Sequence, residues 1–104
     1  MKLLFLLLVG HAVADYPLQG DFLAKAKNPW QPIPGIDWQI AMAAHCLIHA
    51  VSVWIITHSL PLALAEFSLH FAIDVLKCAG KTSFSTDQIL HVLCKIAWTA
   101  ILIL

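Results

Sequence analysis

Long apolar segments alternate with short polar connections along this chain, and there are four such segments. Each comes close to the roughly 20 residues that a helix needs to cross the hydrocarbon core of a bilayer. We therefore predict an all-α, polytopic membrane protein, a four-transmembrane-helix bundle with a polar His/Asp interior that forms a single domain over residues 1–104. The predicted helices cover approximately residues 2–24, 36–57, 60–79 and 86–104.

Local signals mark the ends of these helices. Pro17 is predicted to kink the first helix or to end its straight part, because proline lacks an amide donor and clashes with the preceding turn. Residues 28–35 are rich in proline and glycine, which is typical of a loop. Pro61 falls in the first turn of the third helix, where a missing donor costs little. Ser85 and Gln88 have the spacing of a capping box at the start of the fourth helix.

The first segment also has the features of a cleavable secretory signal. Lys2 precedes the apolar run 3–9, and residues 12–14 fit a small-residue cleavage site. The helical apolar pattern nevertheless continues beyond this site, and His11 and Asp15 repeat a spacing that is found in the other segments. We therefore favour an uncleaved first helix, and cleavage of residues 1–14 is the alternative.

The composition agrees with a membrane location. Of the 104 residues, 61% are hydrophobic and 12% are charged, which is more apolar surface than a soluble chain of this length would bury in one core. Six basic and six acidic residues give a net charge of zero, so nucleic acid is not an expected partner. The cysteines form no Cys-x-x-Cys pair and are interpreted as packing residues. They are Cys46, Cys78 and Cys94.

The lysines predict the orientation in the membrane. Two lie in the first connection and two flank the third, whereas the second has none, and basic loops favour the cytoplasmic side. We therefore expect the loops around 25–35 and 80–85 to be cytoplasmic in a multi-pass protein of the cell inner (plasma) membrane. The lysines concerned are Lys25, Lys27, Lys77 and Lys81.

Each apolar segment carries ligand-type side chains spaced four residues apart. This spacing is about one helical turn, so the members of a pair project from the same face. Because an ionisable side chain that faces acyl chains is costly, we expect the four faces to turn toward one another. The pairs are His11 with Asp15, His45 with His49, His70 with Asp74 (preceded by Glu66), and Asp87 with His91.

Imidazole and carboxylate groups on facing helices are the ligands with which helical bundles hold Zn, Mn or Fe. A divalent metal site is therefore our first interpretation of this interior. Two others stay open, a relay or gate for protons or ions, and a set of interhelical hydrogen bonds. The predicted ligands of one or two ions are His11, Asp15, His45, His49, Glu66, His70, Asp74 and His91. The residues expected to orient these ligands are Gln19, Asp87 and Gln88.

The remaining polar and aromatic residues have plainer interpretations. His58 falls in a connection and is interpreted as a loop residue. The tryptophans, with Tyr16, are expected near the membrane interfaces as an aromatic belt. Because no Gly-x-Ser-x-Gly or His-Glu-x-x-His motif occurs, a serine hydrolase or a zincin is not expected. The tryptophans are Trp30, Trp38, Trp54 and Trp98.

Three motifs, in this order, resemble those of a known family. They are His11-Ala-Val-Ala-Asp15-Tyr-Pro-Leu-Gln19, Glu66-x-x-x-His70-x-x-x-Asp74-x-x-Lys77 and Asp87-Gln88-x-x-His91. With them, nearly the whole chain resembles a family of bacterial and phage membrane proteins catalogued as domain of unknown function 3307. The resemblance implies a membrane location and a bacterial or phage source, and its first His and Asp argue against signal cleavage. It implies no reaction.

Two hypotheses for the function follow. In the first, the interior is an intramembrane metal site, and a metal-bound water hydrolyses an amphiphilic substrate such as a lipid head group. In the alternative, the chain is a non-enzymatic phage or bacterial membrane protein that conducts protons or ions or assists lysis. A homo-oligomer whose histidines line a pore would distinguish the second hypothesis. Both hypotheses have the lipid membrane as a partner. They differ in whether the chain is an enzyme, and the sequence does not decide between them.

Overall fold

The computed structural model describes residues 1–104, and all of its regular structure is helical. There are five α-helices and no strands, so the all-α prediction is confirmed. The helices are α1 (Lys2–Asp15), α2 (Gly20–Ala26), α3 (Trp38–Thr57), α4 (Leu60–Cys78) and α5 (Phe84–Ile103).

The segment predicted as the first helix, residues 2–24, forms two helices that are separated near Pro17, where the sequence predicts a kink or the end of the straight part. The axes of α1 and α2 form an angle of 82°. Pro17 lies in the break and cannot donate the backbone hydrogen bond that would continue α1. Gly20 has a φ of 66°, a left-handed conformation that glycine adopts without strain, and it starts α2 in the new direction.

The ends of the other helices are defined by capping residues. His58 ends α3 with a φ of 57°, and the next residue, Ser59, caps α4 by accepting a hydrogen bond from the amide of Leu62. Pro61 occupies the first turn of α4, as the sequence predicts. Ser83 rather than Ser85 caps α5, because its hydroxyl accepts from the amide of Thr86 and the helix begins two residues earlier than predicted.

The four longer helices form a closed ring. α1 packs against α3 and α5, and α4 packs against the same two helices, whereas α2 packs only against α3. Successive long helices run in opposite directions. The connections α3–α4 and α4–α5 are short, and α1 runs antiparallel to α3, because Gly10 lies beside Ser52 whereas Asp15, further along α1, contacts His49, earlier in α3. One face of each long helix therefore turns into a shared interior, which is where the polar pairs lie.

Two helices, α3 and α5, are long and apolar enough to cross a membrane, and α1 with α2 would make a third if they form one broken span. The sequence prediction of four spans is not met by these criteria of length and composition. The helix that falls short is α4, which carries Glu66, Asp74 and Lys77 within 19 residues.

Candidate metal centre

The structure brings the predicted ligands together inside the ring. Their side chains come from α1, α3, α4 and α5, and each residue keeps at most 9% of its surface exposed. The one-turn spacing within each helix explains the convergence, since it stacks the polar groups on the inward face. The buried residues are His11, Asp15, His45, His49, Glu66, His70, Asp74 and His91, with Asp87 and Lys95.

Four of these residues each offer a ligand atom within 4.8 Å of the others, and they come from α1, α3 and α4. Asp15 Oδ1 lies 3.3 Å from both His45 Nε2 and His49 Nε2. His70 Nε2 lies 3.2 Å from His45 Nε2 and 4.0 Å from Asp15 Oδ1. We call Asp15, His45, His49 and His70 the three-histidine group.

Three of these four separations are close to those between the ligands of a tetrahedrally coordinated ion, and the fourth, between His70 and Asp15, is longer at 4.0 Å. Ligands about 2.0 to 2.1 Å from zinc lie about 3.3 to 3.4 Å from one another in a tetrahedron. His45 Nε2 lies 3.3 Å from Asp15 Oδ1 and 3.2 Å from His70 Nε2, which are the separations expected between two ligands of one such ion. The group could therefore hold a metal ion.

A second set of ligand-type atoms adjoins the first. Asp74, Asp87 and His91 also offer ligand atoms within 4.8 Å of one another, and we call them the two-carboxylate group. His91 Nε2 lies 3.0 Å from Asp74 Oδ1 and 3.4 Å from Asp87 Oδ1. Asp87, expected from the sequence only to orient ligands, thus lies among the ligand atoms themselves.

Glu66 belongs to a third candidate group with His70 and His91, yet both of its oxygens have other partners. Its Oε2 accepts from His70 Nδ1 at 3.0 Å. Its Oε1 accepts from Lys95 Nζ at 2.6 Å and from Trp98 Nε1 at 3.0 Å. Because a carboxylate only accepts, the proton of His70 is placed on Nδ1, and Nε2 presents its lone pair to the three-histidine group.

Sequence reasoning missed Lys95 and misplaced Trp98. Trp98 was expected at a membrane interface, but it is 5% exposed and its indole donates to Glu66. Lys95 follows His91 by four residues, so the spacing that identified the other polar residues also extends to it. Lys27 is expected from the sequence only in a cytoplasmic loop, but it donates to Asp74 Oδ2 at 2.7 Å. This contact joins the residue after α2 to α4, and no local sequence pattern indicates it.

The remaining predicted residues lie around the two groups. His11 Nε2 is 3.1 Å from Gln88 Oε1, and His11 belongs to none of the candidate ligand groups. Gln88 Nε2 donates to Asp15 Oδ2 at 3.0 Å and to Asp87 Oδ2 at 3.1 Å, so it orients a carboxylate of each group. Gln19 instead donates to the backbone carbonyl of Asp15 and contacts no ligand atom.

The interior carries more negative than positive charge. Of the four buried carboxylates, two form ion pairs with lysine ammonium groups, which leaves two negative charges when the imidazoles are neutral. A divalent cation would neutralise this excess. The carboxylates are those of Asp15, Glu66, Asp74 and Asp87, and the ammonium groups are those of Lys27 and Lys95.

A polar cavity of about 250 Å³ opens onto the interior at one end of the bundle. Asp15, Asp74 and Asp87 line it, and they belong to the two ligand groups. Lys27 and Lys77 lie in its wall as well. Water and small polar molecules would therefore reach the carboxylates from this end.

The other end of the interior is closed by apolar side chains. Leu7, Val53, Leu62 and Trp98 form a buried hydrophobic cluster. Leu7 precedes His11 by one turn and Val53 follows His49 by one turn, so the cluster lies directly beyond the polar layer. The polar interior is therefore open at one end only.

Comparison with known proteins gives one match. The chain belongs to the family described as Protein of unknown function (DUF3307), whose sequence profile matches residues 3–104. The resemblance inferred from the three motifs is thereby confirmed, whereas the bacterial or phage source stays a prediction. No curated protein and no solved structure matches the chain.

Proposed function

We propose that this protein holds a divalent metal ion in the interior of a membrane-embedded helical bundle, with Asp15, His45, His49 and His70 as ligands. The observation that carries the proposal is the convergence of one carboxylate and three imidazoles within 4.8 Å. A ligand set of three nitrogens and one oxygen favours zinc, and manganese or iron are the alternatives. The excess negative charge of the interior supports a cation in the same place.

The outer surface supports a membrane location for the bundle. Large apolar side chains such as Leu47, Ile55, Leu64 and Ile89 are more than half exposed around the ring, which a soluble monomer would avoid. The charges of Glu66 and Asp74 on α4 are buried and do not face the lipid. The molecule is 45 Å long, close to the full thickness of a bilayer with its head groups.

Hydrolysis is the reaction that such a centre would support most directly. A metal ion lowers the pKa of a bound water and so supplies hydroxide near neutral pH. The cavity beside Asp15 would admit both water and the polar head of a substrate. Because the outer surface of the helices is apolar, an amphiphilic substrate would reach the cavity with its tail in the membrane.

Conduction of protons or ions, the alternative function, has less support. A conducting path needs polar groups or water through the whole membrane, but the cluster of Leu7, Val53, Leu62 and Trp98 closes one end. A pore on an oligomer axis would need histidines on the outer surface. The four histidines of α3, α4 and α5 are at most 1% exposed within a single chain.

Elemental analysis of the detergent-purified chain tests the proposal. We expect close to one zinc, manganese or iron ion per wild-type chain, and less than a tenth as much after substitution of His45 and His70 by Gln. Glutamine retains a hydrogen-bonding group but is a poor metal ligand, so packing changes less than metal binding does.

The control is His58→Asn, which removes an exposed histidine from the α3–α4 connection. Asparagine tolerates the left-handed backbone at this position, so the variant should fold and retain its metal. Wild-type protein that holds no metal, even after incubation with each ion, would overturn the proposal. Flux assays in liposomes would then become the next experiment.

A further inference from the structure

We propose that a second divalent cation binds beside the first, with Asp74, Asp87 and His91 as ligands and Asp74 as the bridge between the two ions. This inference rests on the proposed function, since it assumes an ion in the three-histidine group. It assigns Asp87, Asp74 and the polar cavity to one two-metal centre.

Asp74 lies between the two groups of ligands. Its Oδ1 is 3.0 Å from His91 Nε2, on the side of the two-carboxylate group. Its Oδ2 accepts from Lys27 Nζ at 2.7 Å and also lies 3.1 Å from His45 Nε2 and 3.6 Å from His70 Nε2, on the side of the three-histidine group. A carboxylate that directs one oxygen to each group is placed to bridge two ions, which in two-metal hydrolytic sites lie about 3.5 to 4 Å apart.

Asp87 gives an independent indication of a cation. It is 4% exposed, and its Oδ1 is buried without a hydrogen-bond partner. An unpaired buried carboxylate oxygen is costly, so such atoms are normally satisfied by a donor, a water or an ion. This oxygen lies 3.4 Å from His91 Nε2, at the wall of the polar cavity.

The two groups would differ in metal preference and affinity. The three-histidine group is rich in nitrogen and favours zinc, whereas two carboxylates and one imidazole also suit the harder Mn²⁺. A first divalent ion already offsets the excess negative charge of the interior, so the second should bind more weakly. Its remaining coordination positions face the cavity, where water or a substrate group would complete the shell.

The test is a manganese titration of the full chain in detergent after loading with one equivalent of zinc, with free Mn²⁺ measured by electron paramagnetic resonance. We expect wild-type protein to bind one Mn²⁺ while keeping its zinc. Asp87→Asn should weaken Mn²⁺ binding more than about 10-fold. Removing a residue that only orients a metal ligand already weakens metal binding by about 10- to 100-fold, and Asp87 is proposed as a ligand itself. The zinc content of this variant should stay at the wild-type level, which also shows that it has folded.

Asp21→Asn is the matched control, because Asp21 is also an acid in the first turn of a helix but is exposed and belongs to none of the candidate ligand groups. It should bind both ions as the wild type does. His91→Gln should repeat the result of Asp87→Asn. With Mn²⁺ at both positions, the two ions should broaden each other's resonance, an effect that zinc in the first position abolishes.

The second ion is ruled out if zinc-loaded wild-type protein binds no Mn²⁺, or if Asp87→Asn and Asp21→Asn bind it equally. Loss of zinc together with manganese in Asp87→Asn would overturn the division into two sites. The absence of zinc from wild-type protein would instead overturn the proposed function itself. The failures of the two proposals are therefore distinguishable.

Discussion

Lys95 is the most deeply buried charge that does not belong to a ligand group. It is 1% exposed, and its ammonium group donates to Glu66 Oε1 at 2.6 Å. The other oxygen of Glu66 accepts from His70, a proposed metal ligand. Lys95 would therefore act on the proposed metal centre through Glu66, by holding the carboxylate that fixes the proton of His70.

Removing either member of this ion pair should destabilise the protein. Glu66→Gln leaves the Lys95 ammonium buried without its counter-charge, which typically costs about 3–5 kcal/mol. Lys95→Met leaves the Glu66 charge with only its neutral donors and should also lower the free energy of unfolding. The double variant removes both charges and should recover most of the loss, since replacing a whole buried pair is often nearly neutral.

Chemical unfolding followed by circular dichroism would measure all four proteins, with a chelator present so that metal binding does not contribute. If the losses in free energy of unfolding caused by the two single substitutions simply add in the double variant, the two charges are not coupled. With metal present, Glu66→Gln should in addition weaken zinc binding by about 10- to 100-fold.

Residues that share one face of a single helix can be predicted from the sequence, whereas contacts between separate helices cannot. The four-residue spacing identifies His45 with His49 and His70 with Asp74, because both members lie on one face. The same rule would have included Lys95. It could not have placed Lys27 on Asp74 or divided the ligands into two groups, because those contacts depend on how separate helices pack.

At the scale of helices, Gly10 sets the distance between α1 and α3. A β-carbon at this position would collide with the Ser52 side chain and lie 3.0 Å from Ile56 Cδ1. Small residues allow this kind of close approach between helices in membranes. Since His11 and Asp15 follow on the same helix, the contact also fixes the depth at which α1 delivers Asp15 to the three-histidine group.

Gly10→Leu should therefore separate α1 from α3 and weaken metal binding without removing a ligand. We expect a free energy of unfolding lower by about 1–3 kcal/mol, the usual effect of overpacking, and the loss of most bound zinc. Ala12→Leu, at an exposed position of the same helix, is the control and should leave both quantities unchanged. Normal zinc content in Gly10→Leu would show that the centre does not need this close approach.

The break between α1 and α2 marks a further limit of prediction from sequence. Pro17 indicated that α1 would bend or stop, but the angle of 82° also depends on Gly20 and on the packing of α2 against α3. The break has a consequence for the site, because it carries Lys27 back to Asp74 and gives the polar cavity one of its walls. A continuous first helix would have left this end of the interior without Lys27.

At the scale of the whole molecule, the alternation of helix direction sorts the interior into a polar half and an apolar half. Going along α1 and α4, apolar Leu7 and Leu62 come before the polar residues. Going along α3 and α5, Val53 and Trp98 come after them. Because neighbouring helices are antiparallel, all four apolar residues meet at one end, and the carboxylates of Asp15, Asp74 and Asp87 meet at the other.

This arrangement predicts that aqueous reagents reach the site from one side of the membrane only. Cys78 lines the polar cavity, whereas Cys94 packs against the apolar cluster at the closed end. Each cysteine can be studied alone after the other two are replaced by alanine. In inside-out membrane vesicles, a maleimide that cannot cross membranes should label Cys78, because the distribution of lysines predicts that the cavity opens on the cytoplasmic side. In right-side-out vesicles it should not.

Cys94 should react with the maleimide in neither kind of vesicle. It should react after denaturation in detergent, and this reaction is the control that shows that its thiol is free. Labelling of Cys78 only from the outside would reverse the predicted orientation. Labelling of Cys94 from the side opposite to Cys78 would mean that water passes the cluster of Leu7, Val53, Leu62 and Trp98. A conducting path would then account for the buried histidines better than a centre with a single entrance, so this measurement also separates the two functions.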